Sequence, residues 1–294
     1  MTESMFDSNL EAIEAWNTVL YDKFVRFRAP LTTGLAIHGA AALERHPVQQ
    51  GQRVIDIGCG FGDTTLEIAR RVGPNGTVLG IDAAPRFIEQ ASAEARALGV
   101  QNALFKSGDV QVTELGGPYD RAFSRFGTMF FASAVAALKN IRLTLVPGGL
   151  LTMVVWRSKS ENPFLNDAEQ RVLEIVPHPE KGDQVTCGPG PFSMASPDLV
   201  SAQLLRAGFE QPCFERFDAD ICLGDSVDEA VEFGMEIGPA GEILRLAGAE
   251  AERYRKDVIR ALRELASQYV SADGVKGRSS SWIVSAYAPK KQRN

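Results

Sequence analysis

The sequence predicts a doubly wound α/β fold on a mostly parallel sheet, and three observations carry that expectation. Between Arg53 and Trp156, short β-branched apolar runs alternate with amphipathic helical stretches, the pattern of parallel strands joined by covering helices. The first run, Val54 to Ile57, passes straight into the alternate glycines Gly58, Gly60 and Gly62 and then into a helix. Acidic residues close the second and third strands, at Asp82 and Asp109.

The elements follow in order. Leu10, Ile13, Trp16, Leu20 and Phe24 recur at helical spacing, and a second helical stretch covers 35–43, so residues 1–47 read as cap helices over the sheet. The core, 48–156, gives strands at 53–58, 77–82, 103–109, 119–124 and 150–156. Helices at 64–72, 86–98 and 131–145 join them, stopped by Gly73-Pro74, Gly99 and Pro147-Gly148-Gly149, and Pro85 occupies a favoured first-turn position. Residues 157–195 form an insertion rich in Pro and Gly toward its end. A Ser-Pro cap at Ser196 opens a helix that ends at Gly208, 213–223 alternates as a strand, and 280–288 forms the last one, so 196–224 and 279–289 complete the sheet. Between them lie residues 225–278, whose helical pattern over 227–269 is too long for a hairpin loop and reads as a lid.

Composition narrows the class. The chain has 294 residues, 45% hydrophobic and 23% charged, and a formal charge of -6, the profile of a globular protein whose surface is not built to neutralise phosphates or to lie on anionic lipid. The basic run Arg253, Arg255, Lys256, Arg260 and Arg263 alternates with Asp257 and Glu264 as a solvated helix face does. Cys59, Cys187, Cys213 and Cys222 form no CxxC pair, which argues for free thiols in a reducing compartment and against a metal site. No basic and apolar leader opens the sequence, so the cytoplasm is expected.

Glycine is needed after the first strand because the chain turns sharply there and its backbone approaches a ligand, while the helix start offers free N–H donors. Such a loop serves either a dinucleotide or an adenosyl sulfonium compound. A dinucleotide fingerprint wants glycine at position 63, but Asp63 stands there, and Asp56 is a further anion close by. Negative charge at that place repels a pyrophosphate and suits a ligand carrying ammonium and sulfonium groups. Asp82, 20 residues after Gly62, is placed to accept hydrogen bonds from ribose hydroxyls, and Asp109 from an adenine amine.

These residues resemble the class I S-adenosylmethionine-dependent methyltransferase family: Asp56-Ile-Gly-Cys-Gly-Phe-Gly62, Asp82, Gly108-Asp109 and Leu145-Val-Pro-Gly-Gly149 match its motifs over about 50–156. The resemblance implies a Rossmann-like sheet, S-adenosylmethionine as cofactor and S-adenosylhomocysteine as product. It implies that Asp56 and the glycines at 58, 60 and 62 line the methionine moiety, Asp82 the ribose, and Asp109 with Val110 the adenine. Cys59, Thr64, Ala83, Gly108, Ser124, Arg125 and Phe126 complete the cofactor set. The run Ser124-Arg-Phe-Gly127, with Trp156-Arg157 and Glu161-Asn-Pro163, resembles a subgroup acting on small molecules, secondary metabolites among them, and names no acceptor.

Catalytic candidates are fewer. Arg125 has two readings, a planar fork for a substrate carboxylate or phenolate and an internal ion pair. His38 has two as well, a base facing the acceptor and a packed core histidine; His46 and His178 are weaker candidates. Trp16, Tyr21, Phe24 and Phe27 either close over the cofactor or belong to the core, and Phe126, Phe130 and Phe131 carry the same ambiguity. The rival functions are a non-catalytic cofactor-binding regulator and a nicotinamide-dependent oxidoreductase. No nucleic-acid or membrane partner is expected, and the oligomeric state is left open.

Overall fold

The computed structural model describes residues 3–177 and 189–290, with side chains from Asn9 on. Helices α1 (Glu3–Asn17), α2 (Val19–Arg26) and α3 (Leu35–Arg45) lead into β1 (Arg53–Ile57), α4 (Asp63–Val72), β2 (Thr77–Asp82), α5 (Pro85–Ala97) and β3 (Ala103–Ser107). Then follow β4 (Tyr119–Arg125), α6 (Ala134–Leu143), β5 (Leu145–Trp156), α7 (Pro163–Leu173), α8 (Pro197–Arg206) and β6 (Glu210–Gly224). Helices α9 (Val227–Glu236), α10 (Pro239–Leu246) and α11 (Ala251–Ser267) precede the short β7 (Val270–Ser271) and the closing β8 (Gly274–Tyr287).

The sheet runs β3-β2-β1-β4-β5-β8-β6, with β7 paired to β8 at its side. Strands β1 to β5 are mutually parallel, and β8 runs antiparallel to both β5 and β6. This is the mostly parallel, doubly wound sheet that the sequence predicts. Strand order reverses beside β1, so the crevice between the carboxyl ends of β1 and β4 is the place where such a sheet binds ligands.

Residue alternation explains why both faces are covered. Ile55, Ala122, Met153 and Val284 point to one side, where Leu138 and Ile141 of α6 and Val200 and Leu204 of α8 bury them. Their neighbours Val54, Phe123, Val154 and Ile283 point to the other, under Leu43 of α3 and Ile68 and Val72 of α4. Strands apolar on both faces are what a buried parallel sheet requires.

The boundaries differ from expectation where local geometry intervenes. The N-terminal stretch breaks into two helices at Thr18, whose φ of -120 and ψ of -96 are not helical. The helix expected from 131 starts at Ala134, because Thr128–Phe130 form a 3₁₀ turn first. Pro147-Gly148-Gly149 does not precede β5 but lies inside it, as an irregularity in its pairing with β4. His178 and Cys187, in the insertion, lie outside the described residues.

Trp156 at the end of β5 pairs with Ser281, so residues 274–280 of β8 and their partners on β6 overshoot the parallel strands at the carboxyl edge. On this projecting ribbon α7, α9, α10 and α11 build a second core around Val172, Val231, Leu244, Val258 and Leu262. Helix α2 joins it through Phe27, 5.7 Å from Phe233, and through Lys23 at 3.1 Å from Glu236. Cap helices and helical subdomain therefore stand together above the edge where the crevice opens. Among the described residues, no helix is long and apolar enough to cross a membrane.

Asn162 ties the subdomain to the sheet. It is fully buried, its Oδ1 accepts the Ser280 N–H at 2.8 Å, and its Nδ2 donates to the Ser158 carbonyl at 3.0 Å. Replacing it by alanine leaves a buried N–H without its acceptor and should cost about 1–3 kcal/mol in urea unfolding; a loss within about 0.5 kcal/mol, as for an ordinary surface change, contradicts this tie.

Candidate active site

The loop after β1 holds Gly58, Gly60 and Gly62 at φ of 65, 53 and 80, in the left-handed region that favours glycine. Their surroundings differ. A Cβ on Gly58 would sit 3.0 Å from Gly127 Cα, and one on Gly62 2.7 Å from the Phe105 ring, so these two permit close packing. A Cβ on Gly60 would meet nothing within 4 Å. Gly60 is thus the glycine whose flank is open to a ligand.

Two carboxylates lie along this edge of the sheet, Asp82 beside Gly60 and Asp109 one strand further on. Asp82 accepts the Gly60 N–H at 2.9 Å on Oδ2 and the Ala84 N–H at 3.0 Å on Oδ1, and it stays partly exposed beside Ala83. Burial pushes its pKa up while these N–H donors pull it down. Each oxygen retains a second acceptor position, the requirement for holding a pair of vicinal hydroxyls. At the end of β3, Asp109 accepts from the Gln111 backbone at 2.9 Å and from the Gln111 carboxamide at 3.1 Å, and the Asn9 carboxamide donates to its Oδ2. Gly108 passes tightly over Thr113, and Val110 is buried beside the pair.

Other residues of the expected set face inward. Asp56 is 1% exposed and accepts from Thr65 Oγ1 at 2.6 Å, so it braces the start of α4 and does not line the crevice. Burial pushes its carboxyl up to about 7. Thr65, not the neighbouring Thr64, is the partner, and no spacing in the sequence distinguishes them. Cys59 Sγ would lie 3.0 Å from a Cβ on Gly80, under the loop, and burial raises its thiol pKa. Asp63 is also not a free anion: Arg28 pairs with it at 3.3 Å and with Glu94, a clamp that the sequence does not announce.

The end of β4 divides likewise. Ser124 is fully buried and donates to the Ile57 carbonyl at 2.8 Å, stitching β4 to β1. Phe126, at φ 58, stacks on Trp156 with centroids 4.1 Å apart. Arg125 packs its Cδ against Gly39 and donates to the Thr32 carbonyl at 3.1 Å, and it forms no ion pair among the described residues. The internal-ion-pair reading of Arg125 therefore fails.

His38 corrects the expectation of a base facing the acceptor. It is fully buried, with Nδ1 at 2.8 Å from Ser281 Oγ and Nε2 at 2.8 Å from Ser279 Oγ, edge-on to Phe126, Trp156 and Phe217. Burial first, then Arg125, lowers its pKa to about 4, so the ring is neutral. Both nitrogens are engaged and neither reaches the crevice.

The cap helices close the mouth. Trp16 meets Phe130 edge-on at 5.0 Å and Phe24 at 5.2 Å, while Tyr21 packs against Phe61 of the glycine loop and Phe87 of α5. A separate groove of about 260 Å³ beside Phe61 has Arg28 and Arg86 on its walls, but both are already paired, with Glu94 and Asp22.

Known proteins match this core. Residues 49–188 match the family described as a methyltransferase domain. That stretch is similar to methyltransferase domains over somewhat less than half of the chain. Trans-aconitate 2-methyltransferase of Deinococcus radiodurans is 31% identical over 140 residues, 48% of this chain and 49% of that protein. Aklanonic acid methyltransferase DauC of Streptomyces sp. strain C5 is 37% identical over 120 residues, 39% of this chain and 53% of that protein. The chain thus spans about half the length of the curated relatives it matches. In fold it is similar to YcgJ of Bacillus subtilis, with a TM-score of 0.55 at 15% identity over 88% of this chain and 99% of that one. A putative methyltransferase of Bacillus halodurans gives 0.53 at 15% identity over 85% and 98%.

The two buried titratable groups oppose each other. Between about pH 4 and 7, native Asp56 keeps a proton that the unfolded chain releases, so its contribution to stability declines as pH rises. His38, lowered from 6.5 to about 4, does the reverse: its contribution is present above 6.5 and is lost as pH falls toward 4. Asp56→Asn removes the first effect alone. Denaturant titrations of that variant should show stability rising with pH between about 4 and 6.5 more steeply than in the parent protein, and identical slopes for the two proteins contradict the assignment.

Proposed function

We propose that the chain is an S-adenosylmethionine-dependent methyltransferase of the cytoplasm that delivers a methyl group by inline displacement to an N, O, S or C atom of a small-molecule acceptor. The observation that carries the reading is the open flank of Gly60 beside the Asp82 carboxylate, with Asp109 past the end of the next strand along the same edge. The residues fit the cofactor: Asp82 takes the ribose diol, Asp109 the adenine amine, Ala83 and Val110 the faces of the base, and the backbone at Gly60 leaves room for the methionine chain. Bound there, S-adenosylmethionine supplies a methyl group already activated on a cationic sulfur.

The protein's share of the work is alignment. Holding two reactants in line is worth up to about 7–11 kcal/mol in favourable cases, and the cap helices and helical subdomain exclude water above the edge. With His38 sealed away, the acceptors favoured are those that arrive nucleophilic, an amine or an ionised oxygen. Arg125, in the Ser124-Arg-Phe-Gly127 run of the small-molecule subgroup, is the cation for an acceptor anion. Two of the relatives are named for acids, trans-aconitate and aklanonic acid, in keeping with that role.

Two measurements test the reading. Calorimetric titration should show S-adenosylhomocysteine binding and NAD not, and Asp82→Ala should weaken S-adenosylhomocysteine at least about tenfold, the scale of one charge-assisted hydrogen bond. That variant should also lose about 1–3 kcal/mol of stability, because the Gly60 and Ala84 N–H groups lose their acceptor. Incubation with methyl-labelled S-adenosylmethionine and a panel of carboxylates, phenols and amines should yield a labelled product. Tight NAD binding with no S-adenosylhomocysteine binding overturns the proposal.

A further inference from the structure

The Asp109 carboxylate is fully subscribed in this structure. Gln111 engages it through the backbone N–H at 2.9 Å and through its carboxamide at 3.1 Å to both oxygens, and the fourth contact comes from the side-chain amide of Asn9, 100 residues away on α1. A primary carboxamide and the amine of adenine present the same thing to a carboxylate, a planar nitrogen carrying two hydrogens. Asn9 therefore occupies the position that the proposed function gives to the base.

The rest of α1 and α2 is placed to make that contact reversible. Trp16 rests edge-on against Phe130 at one side of the mouth, and Asn17 Oδ1 accepts the Arg86 N–H at 3.0 Å at the other. Just past these, the chain breaks at Thr18 and Val19 is 64% exposed. Helix α1 also leaves Leu10 64% exposed, and Glu11 and Glu14 face solvent. Helix α2, by contrast, is anchored through Tyr21 to Phe61 and Phe87 and through Lys23 to Glu236. A rigid α2 and a lightly held α1, joined at a non-helical residue, form a hinged cover.

We infer that α1 is a latch over the adenine end of the crevice, with Asn9 standing in for the adenine amine on Asp109, so that cofactor entry and latch closure exclude one another at that carboxylate. Asn9 thereby sets cofactor affinity without contacting the cofactor. The inference rests on the assignment of Asp109 to adenine in the proposed function.

Titration with S-adenosylhomocysteine, paired with hydrogen exchange of α1, tests it. Asn9→Ala should bind S-adenosylhomocysteine about three- to tenfold more tightly than the parent, the scale of one released hydrogen bond to a carboxylate. Asn9→Asp, which places like charges together, should do so at least as strongly. In the parent protein, amides of residues 9–17 should exchange faster once S-adenosylhomocysteine is added, and in free Asn9→Ala they should exchange faster from the start. If S-adenosylhomocysteine binds the parent but the variants bind equally or more weakly, the latch is wrong and the cofactor assignment stands. If S-adenosylhomocysteine binds none of the three proteins, both fail together.

Discussion

The site depends on how closely two strands are allowed to approach. Gly58 at the end of β1 and Gly127 just past β4 sit back to back, so that a Cβ on either would press within 3.1 Å of the other's Cα. The Ser124 hydroxyl closes the same seam by donating to the Ile57 carbonyl at 2.8 Å. With the seam shut, the glycine loop must turn outward, and it does so at Gly60. The crevice of a doubly wound sheet opens at this reversal of strand order, and here its floor is the backbone of the glycine loop.

Charge is sorted around that floor by depth. Below it, Asp56 and His38 are buried and held near neutrality, each satisfied by hydroxyls, Thr65 for the first and Ser279 with Ser281 for the second. Buried polar groups are tolerable only when satisfied in this way. At the rim, Asp82 and Asp109 keep partial exposure and accept from backbone N–H groups. Arg125 is the counterpoint, a guanidinium set against Gly39 with a single carbonyl partner among the described residues.

Much of the fold is legible in the sequence because a parallel sheet writes itself as apolar runs punctuated by glycine and proline, and β1, β2 and β4 lie within a residue or two of the expected ranges. The acids at Asp82 and Asp109 are legible for a related reason, since one closes β2 and the other stands two residues past β3, which ends at Ser107 and not at the expected 109. Depth is not legible. Asp56 and Asp82 both lie at strand ends, yet one turns under the loop toward Thr65 and the other toward Gly60. Alternation along a five-residue strand gives a side chain its face, and says nothing of what covers that face. His38 fails for the same reason, because its partners Ser279 and Ser281 come from a strand more than 200 residues further on. The Arg28 clamp on Asp63 and the Asn9 contact with Asp109 are likewise long-range pairings without a local signature.

The most direct test is a crystal structure of the protein with S-adenosylhomocysteine. The account predicts the adenosine lying across Gly60, with the ribose hydroxyls on Asp82, the adenine amine on Asp109, and Asp56 still sealed against Thr65. Density for the ligand at any other place, or a rim closed by packed side chains in crystals grown at saturating ligand, contradicts it.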